Sequence, residues 1–429
     1  MAAPTIKAQG LSLIRDSEIE NTIRSYAAPL FGVAGLDADS VKVYIVDDSN
    51  LNAFVAGGMN MFVNTGLIMS SETPDAIIGV FAHEIGHIAG GHLARTRGAI
   101  ENATAEAMLA NILGAAAILA GSTEAGKAII GAGSAIAQQS IIRYSQSQER
   151  SADQAGVGYL QAIGRSANGL LDILYKLKDQ ESLATERQDA YVRSHPLTRD
   201  RISFVRNFVE TSDYLTGSLD QAELEAHGRM VAKLYAYLHS PDKTLRIYRE
   251  NDTSLTARYA RAIAYYRIPD LERAIGELDS LLREFPEDPW FHELKGQILF
   301  ENGHIALSIP PYEKAVALRP EEPLLRLGLA RALIEIQESE FTKQAIDQLI
   351  VAAQAEPNYA PHWHFLGIAY GRDKQLAQSS LALAEASLLR DEFDTAKHLA
   401  ERAMRYLPVG APAYLRAEDI ILAAGHGKR

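Results

Sequence analysis

The sequence predicts a mainly α (α+β) protein, in which a front domain of helices packed on a small β-sheet is followed by an α-solenoid of helical hairpins. Three observations predict it. Short β-branched or aromatic runs cluster before Thr65, apolar residues recur at helical spacing from Pro74 onward, and prolines in the second half return at a regular interval.

At 429 residues the chain is longer than one hydrophobic core usually organises, so more than one domain is expected. The pattern divides it into 1–215, a connecting segment 216–250 and a repeat region 251–429. Hydrophobic residues at 47% and charged residues at 22% match folded globular proteins and argue against long disorder. A net charge of -12 without a basic stripe excludes nucleic acid as a partner. Cysteine is absent, so thiolate and disulfide chemistry are excluded and any metal must be held by His and carboxylates. The first ten residues lack a basic stretch followed by an apolar one, so the chain as given carries no secretion signal and reads as a mature or trimmed form. The most apolar stretch, 107–121, has 15 residues interrupted by Asn111, short of the roughly 20 that cross a bilayer, and the chain is expected to be soluble.

Taking the elements in order, residues 11–34 read as one amphipathic helix on the spacing of Leu13, Ile14, Ile19, Ile23 and Tyr26. Val41–Val46 is a β-branched strand, and Ala53-Phe54-Val55 leads through Gly57-Gly58 into Met61-Phe62-Val63 as strand, turn and strand. Thr73-Pro74-Asp75 starts a helix: Thr can cap, Pro suits the first turn, and Asp faces the positive end of the dipole. Along it Ile77, Ile78, Phe81, Ile85 and Ile88 form a buried face that carries His83, Glu84 and His87 through the core. The Ala-, Gly- and Ile-rich segment 103–140 is expected to be a buried helical hairpin rather than two mobile apolar helices. Its apolar runs between 107 and 137 also suit a peripheral membrane contact, although Lys127 alone supplies little cationic face.

In the second half Pro286 and Pro320 lie 34 residues apart, the period of the tetratricopeptide repeat (TPR), and Pro357 follows after 37. The next interval, 51, is one repeat plus one helix, so the helix around 376–390 should close one repeat and open the next. Trp363, Leu366, Gly367 and Tyr370 reproduce the repeat's W-x2-L-G-x2-Y signature, and Ala274, Ala345 and Ala396 fall on the small position of the second helix. Residues 219–250, broken at Ser240-Pro241, read as an irregular first hairpin joining the array to the front domain. TPR surfaces bind peptides or proteins, so binding rather than chemistry is assigned to this half.

The chemistry points to His83-Glu84-Ile85-Gly86-His87. Histidines at i and i+4 share one helical face and can reach a single ion, with Glu84 beside it to accept a proton from an activated water. Zinc needs a third protein ligand while one position stays open. His92 falls one residue short of the spacing that a further ligand histidine would need, and reads as a surface residue or a support. Glu149 is the better candidate. It stands at i, i+4 with Asp153, so one carboxylate can bind the ion while the other accepts the Nδ1 hydrogen of a ligand histidine. His195, before Pro196, reads by itself as the start of a helix, and Arg201 as either an oxyanion stabiliser or the partner of a structural acid.

His83-Glu84-Ile85-Gly86-His87, then Glu149-Arg150-Ser151-Ala152-Asp153, then Ser194-His195-Pro196-Leu197-Thr198-Arg199-Asp200-Arg201, in that order, resemble the HtpX and BepA-like zinc metallopeptidases, specifically the bacterial envelope members fused to TPRs. The resemblance implies a zincin-like metallopeptidase domain that binds one Zn2+ per chain through His83, His87 and Glu149. In it Glu84 is the catalytic base and Asp153 supports the site. It also implies that His195 can fill the open zinc position and hold the enzyme latent, or contact the transition state. The strand Asn60, Met61, Phe62, Val63, Asn64 resembles the family's active-site edge strand, to which an extended substrate adds by main-chain hydrogen bonds. The implied function is cleavage of misfolded or stalled envelope polypeptides in the periplasm, with outer-membrane assembly proteins as TPR partners. The alternative is a chaperone-like binding module whose zinc site is mostly latent.

Overall fold

Thr5–Ala8 (β1) and Leu11–Ile14 (β2) pair as antiparallel strands in the computed structural model, so the first turn of the expected helix at 11–34 is strand instead. The helix, α1 (Ser17–Val33), begins only after Asp16, whose carboxylate accepts the Ile19 N–H at 3.0 Å, while Glu20 accepts the Asp16 N–H at 3.0 Å. Two orphan donors are satisfied reciprocally, and this fixes the helix start against the apolar periodicity that runs through it. The structure describes residues 5–8, 11–37, 40–56, 59–92, 95, 104, 108, 123–178, 195–196, 199–212 and 220–426.

The β-branched runs form β3 (Lys42–Val46), β4 (Ala53–Ala56) and β5 (Asn60–Asn64), giving a five-stranded sheet of order β1-β2-β3-β5-β4. β5 pairs parallel with β3 on one side and antiparallel with β4 on the other. Asn60–Asn64 is therefore an interior strand, and the expectation that it is the substrate edge is corrected: its main-chain groups are already used on both sides. The edge next to it is β4.

After α2 (Thr65–Ser70) comes α3 (Pro74–Ala89), which carries the histidine pair. Thr73 stands at its N-cap position but makes no side-chain capping bond, and Asp75 in the first turn is paired instead with Arg165 at 2.8 Å. α3 is the centre of the domain, with Ile77, Val80, Phe81, Ala82 and Ile85 wholly buried. Two glycines let neighbours press against it. A Cβ on Gly79 would lie 2.6 Å from the Leu170 nitrogen in α5 (Asn168–Leu177), and one on Gly86 would lie 2.8 Å from the Ala152 carbonyl oxygen in α4 (Thr123–Ala162). This second crossing brings Glu149 and Asp153 beside the histidines.

α4 is one helix of 40 residues, so the part of segment 103–140 from Thr123 on belongs to the helix that carries Glu149. Lys127, Gly131, Ala132 and Ala135 are exposed on it, which corrects the buried hairpin at those positions. Residues 109–122, within the stretch considered for membrane contact, lie outside the described residues. Among the described residues no helix is long and apolar enough to cross a membrane.

The domain continues through α6 (Arg199–Thr211) to α7 (Gln221–Leu238), and α8 (Pro241–Ile247) follows the break at Ser240-Pro241. The structure divides into two compact units, Met1–Tyr235 and Ala236–Arg429. Within the first, α7 packs on α1: Glu18 is paired with Arg229 at 2.8 Å and Lys233 at 3.1 Å, all three buried.

The second unit is a run of antiparallel helices: α9 (Leu255–Arg267), α10 (Leu271–Glu284), α11 (Pro289–Glu301), α12 (Ile305–Leu318), α13 (Pro323–Ile336), α14 (Ser339–Ala355), α15 (Ala360–Arg372), α16 (Leu376–Leu388), α17 (Phe393–Met404) and α18 (Pro412–His426). α9, α11 and α13 start 34 residues apart, the TPR period. Ala274, Ala345 and Ala396 are fully buried where helices meet. Gly367 has the same use: a Cβ there would lie 2.6 Å from Leu383 Cγ in α16. α16 packs on α15 before it and α17 after it, as the 51-residue interval implies.

Candidate metal centre

α3, α4 and the segment before α6 each bring side chains to one buried point. His83 and His87 project from one face of α3, one turn apart. Glu149 projects from α4, where the close approach of Gly86 to Ala152 has removed the space between the helices. His195 comes from the stretch before α6. His83, Glu84, Glu149, Asp153 and Arg201 are at most 3% exposed.

His83 Nε2 lies 3.3 Å from one Glu149 oxygen and His87 Nε2 lies 3.3 Å from the other, while the two imidazole nitrogens are 3.1 Å apart. His195 Nδ1 lies 3.4 Å from His83 Nε2 and 3.1 Å from Glu149 Oε1. One ligand atom from each of these four residues falls within 4.8 Å of the others. Several of these separations are long for charge-assisted hydrogen bonds. They suit donors that share a tetrahedral cation, whose edge for metal–nitrogen bonds of 2.0–2.1 Å is about 3.3–3.4 Å.

The supports are specific. His83 Nδ1 lies 2.9 Å from Asp153 Oδ1, and Asp153 is held by a bidentate pair with Arg201, Nε to Oδ2 at 2.7 Å and Nη2 to Oδ1 at 2.8 Å. The remaining Arg201 nitrogen, Nη1, lies 2.8 Å from Glu149 Oε2 and donates to the Pro196 carbonyl at 3.2 Å. All three guanidinium nitrogens contact the two carboxylates, so the pairing with structural acids has the geometry. His92, open in the sequence between surface and support, is buried with Nδ1 2.9 Å from His87 Nδ1.

The electrostatics follow. Burial penalises the Glu149 carboxylate, but the His195, His83 and His87 imidazoles hold its pKa well below the usual range. Burial likewise opposes ionisation of Asp153, yet Arg201 and His83 bring it down to about 2. His83 is pulled down by burial but held up to about 9 by Asp153 and Glu149, whereas burial dominates at His87 and lowers it to about 3. Glu84 goes the other way: burial raises its carboxyl above the ordinary value, against the nearby imidazoles. Its Oε1 is buried without a hydrogen-bond partner among the described residues, 3.4 Å from His195 Nε2. A buried acceptor left in this state is suited to a group that arrives with substrate or water.

A model of peptidase family M48 matches residues 14–209, the span that holds every member of this constellation. This match and the buried His/Glu cluster mark the front unit as a metallopeptidase domain similar to that family. The chain is 28% identical over 361 residues to a beta-barrel assembly-enhancing protease of Yersinia pestis, covering 81% of this chain and 73% of that one. It is 24% identical over 418 residues to the protein of the same name from Escherichia coli (strain K12), covering 93% and 81%. Among solved structures, a TPR protein, YrrB, aligns over 41% of this chain and 91% of its own with 19% identity and a TM-score of 0.34, and MamA of Desulfovibrio magneticus RS-1 over 43% and 96% with 21% identity and a TM-score of 0.31. The TPR character of the second unit stands on its own helix spacing.

The sequence offered no view of Gly86 and Gly156 as the seam between α3 and α4. A Cβ on Gly156 would lie 3.1 Å from the His83 nitrogen. The available signal was the small residue inside H-E-I-G-H together with Ala152 and Gly156 at i, i+4 in α4.

Proposed function

We propose that the chain is a zinc-dependent endopeptidase that cleaves misfolded or stalled polypeptides of the bacterial envelope, with the TPR unit binding substrate or a partner protein. The observation that carries the reading is the convergence of His83 Nε2, His87 Nε2 and the Glu149 carboxylate at separations of 3.1–3.3 Å. Two imidazoles, neutral once a cation displaces their protons, and one carboxylate are a zinc donor set that leaves a position for water. A bound Zn2+ supplies Lewis acidity, polarising the scissile carbonyl and lowering the pKa of its water to about 7.

The chain's own groups do the rest. Glu84 Oε1, held in a dry environment that raises its affinity for a proton, takes the proton of the attacking water and delivers it to the leaving amine. Asp153 fixes the His83 ring through Nδ1, and Arg201 fixes Asp153 and Glu149 together, which makes it a positioning residue. An extended substrate adds to the edge of β4, which among the described residues has no partner strand on its outer side, so side-chain selectivity is loose. Outer-membrane assembly proteins as partners accord with the β-barrel assembly in the relatives' name, and the periplasm is proposed as the location on the resemblance to the envelope metallopeptidases.

A second reading, a binding module with a mostly latent site, is favoured by one observation: His195 Nδ1 already lies among the candidate ligands, at a distance from which it can take the fourth position. Casein cleavage with and without a chelator, for wild type and Glu84→Gln, tests the first reading. Loss of activity on zinc removal and a fall of about 10²–10⁴-fold in Glu84→Gln are expected. Activity that survives both changes defeats it. Low activity in wild type that rises in His195→Ala supports latency.

A further inference from the structure

We infer that His92 is a positioning residue of the metal centre: it accepts the Nδ1 hydrogen of His87 and so commits His87 to the tautomer whose Nε2 is bare toward Glu149. The inference rests on the metal-site reading above. The two Nδ1 atoms are 2.9 Å apart, with the rings edge-on at 82°. At that distance both cannot carry hydrogens, and two bare lone pairs would repel, so one ring donates to the other. A His87 that presents Nε2 to an ion carries its hydrogen on Nδ1, which makes His87 the donor and His92 the acceptor.

The ring of His92 is placed for this. It is 4% exposed and lies over Gly90, where a Cβ would come within 2.4 Å of its Nε2. Its main-chain carbonyl accepts the Gln148 side-chain amide at 3.1 Å, which ties it to α4 one residue before Glu149. The pair of ligands is thereby supported asymmetrically: His83 by the anionic Asp153 at 2.9 Å, His87 by a second imidazole. Imidazole is a weaker acceptor than carboxylate, so His87 is the less basic and more readily released ligand of the two.

The test is zinc affinity of the full chain, measured by competition with a zinc-binding dye, with the melting temperature of the metal-free protein alongside. His92→Phe keeps the ring volume and removes the acceptor, and an affinity about 10–100-fold weaker is expected with the metal-free melting temperature little changed. His92→Asn, whose Oδ1 stands near the place of the imidazole Nδ1 and restores an acceptor, should bind within a few-fold of wild type. Wild-type affinity in His92→Phe overturns the inference, and so does equal loss in both variants, which would mean that packing alone matters. If Phe is not accommodated, His92→Ala with added imidazole replaces it: recovery of affinity supports the acceptor role and no recovery overturns it. Failure of the metal-site reading is distinct, because there wild type itself would bind no zinc or His87→Ala would bind as tightly as wild type.

Discussion

Replacing Gly86 by Ala puts a methyl group where main chain already stands. The new Cβ would lie 2.8 Å from the Ala152 oxygen, 3.0 Å from its Cα and 3.3 Å from its carbonyl carbon. None of these is a side chain that can swing aside, and carbon contacts need about 3.5–4.0 Å, so α3 and α4 must part by several tenths of an ångström. Overpacking of this kind costs about 1–3 kcal/mol, offset by about 0.8–1 kcal/mol from the better helix propensity of Ala, for a net loss of roughly 0–2 kcal/mol. Gly158→Ala in the partner helix α4 supplies the control, because its Cβ meets nothing within 4 Å and only the propensity gain applies. For a domain of this size 1 kcal/mol moves the melting temperature by about 2–4 °C. Gly86→Ala should therefore melt up to about 8 °C below wild type, and Gly158→Ala up to about 4 °C above it. Both tryptophans, Trp290 and Trp363, lie in the second unit, so the assay is calorimetry on the metal-free protein rather than tryptophan emission. The same parting pulls His83 and His87 from Glu149, and zinc affinity should fall by tenfold or more, since a misplacement of about 1 Å can cost about 10²-fold at a reacting centre. Gly86→Ala with unchanged melting and unchanged zinc affinity would refute the claim that this crossing sets the site.

Other expectations follow from the same contacts. Arg201→Met leaves the Asp153 and Glu149 carboxylates buried without their cation, a loss of about 3–5 kcal/mol in urea unfolding; a change under 1 kcal/mol would remove Arg201 from its place as the common partner. Raising free zinc from nil to about 100 times its dissociation constant should stabilise the front unit by about 2.7 kcal/mol, and Glu149→Gln should abolish most of that gain; a full gain in the variant would move the third ligand elsewhere. Gly367→Ala crowds Leu383, with Cγ at 2.6 Å and its nitrogen at 3.2 Å, and should lower the stability of the repeat unit by about 1–3 kcal/mol, read from the emission of Trp363 on the same helix; an unaltered urea midpoint would deny the close packing of α15 and α16.

Periodic features were legible in the sequence because they are local. The helix of His83 and His87, the i, i+4 pair Glu149 and Asp153, and the 34-residue repeat each follow from the geometry of a single helix or hairpin. Features set by pairing between distant segments were not. Ala53–Ala56 and Asn60–Asn64 announce a hairpin, but which strand of it meets Lys42–Val46 is decided by packing, and the structure puts β5 inside and β4 at the edge. Leu13 and Ile14 satisfy helical and strand periods alike over so short a run, and the deciding signal was the capping pattern at Asp16 and Glu20. Arg201 shows the same limit: six residues after His195 it was near the site on any reading, but only the arrangement of two acids on α4 around its guanidinium decides what it does there.

The buried attachment of α7 to α1 governs where the chain can be cut. A fragment ending near residue 215, as periodicity alone would suggest, deprives the buried Glu18 of both Arg229 and Lys233, and takes from Ser71 the imidazole of His227 that meets its carbonyl at 2.8 Å. Such a piece would aggregate or lose its fold. Expression of the catalytic half by itself should therefore extend at least through Tyr235, and what looks like linker is in fact its last wall.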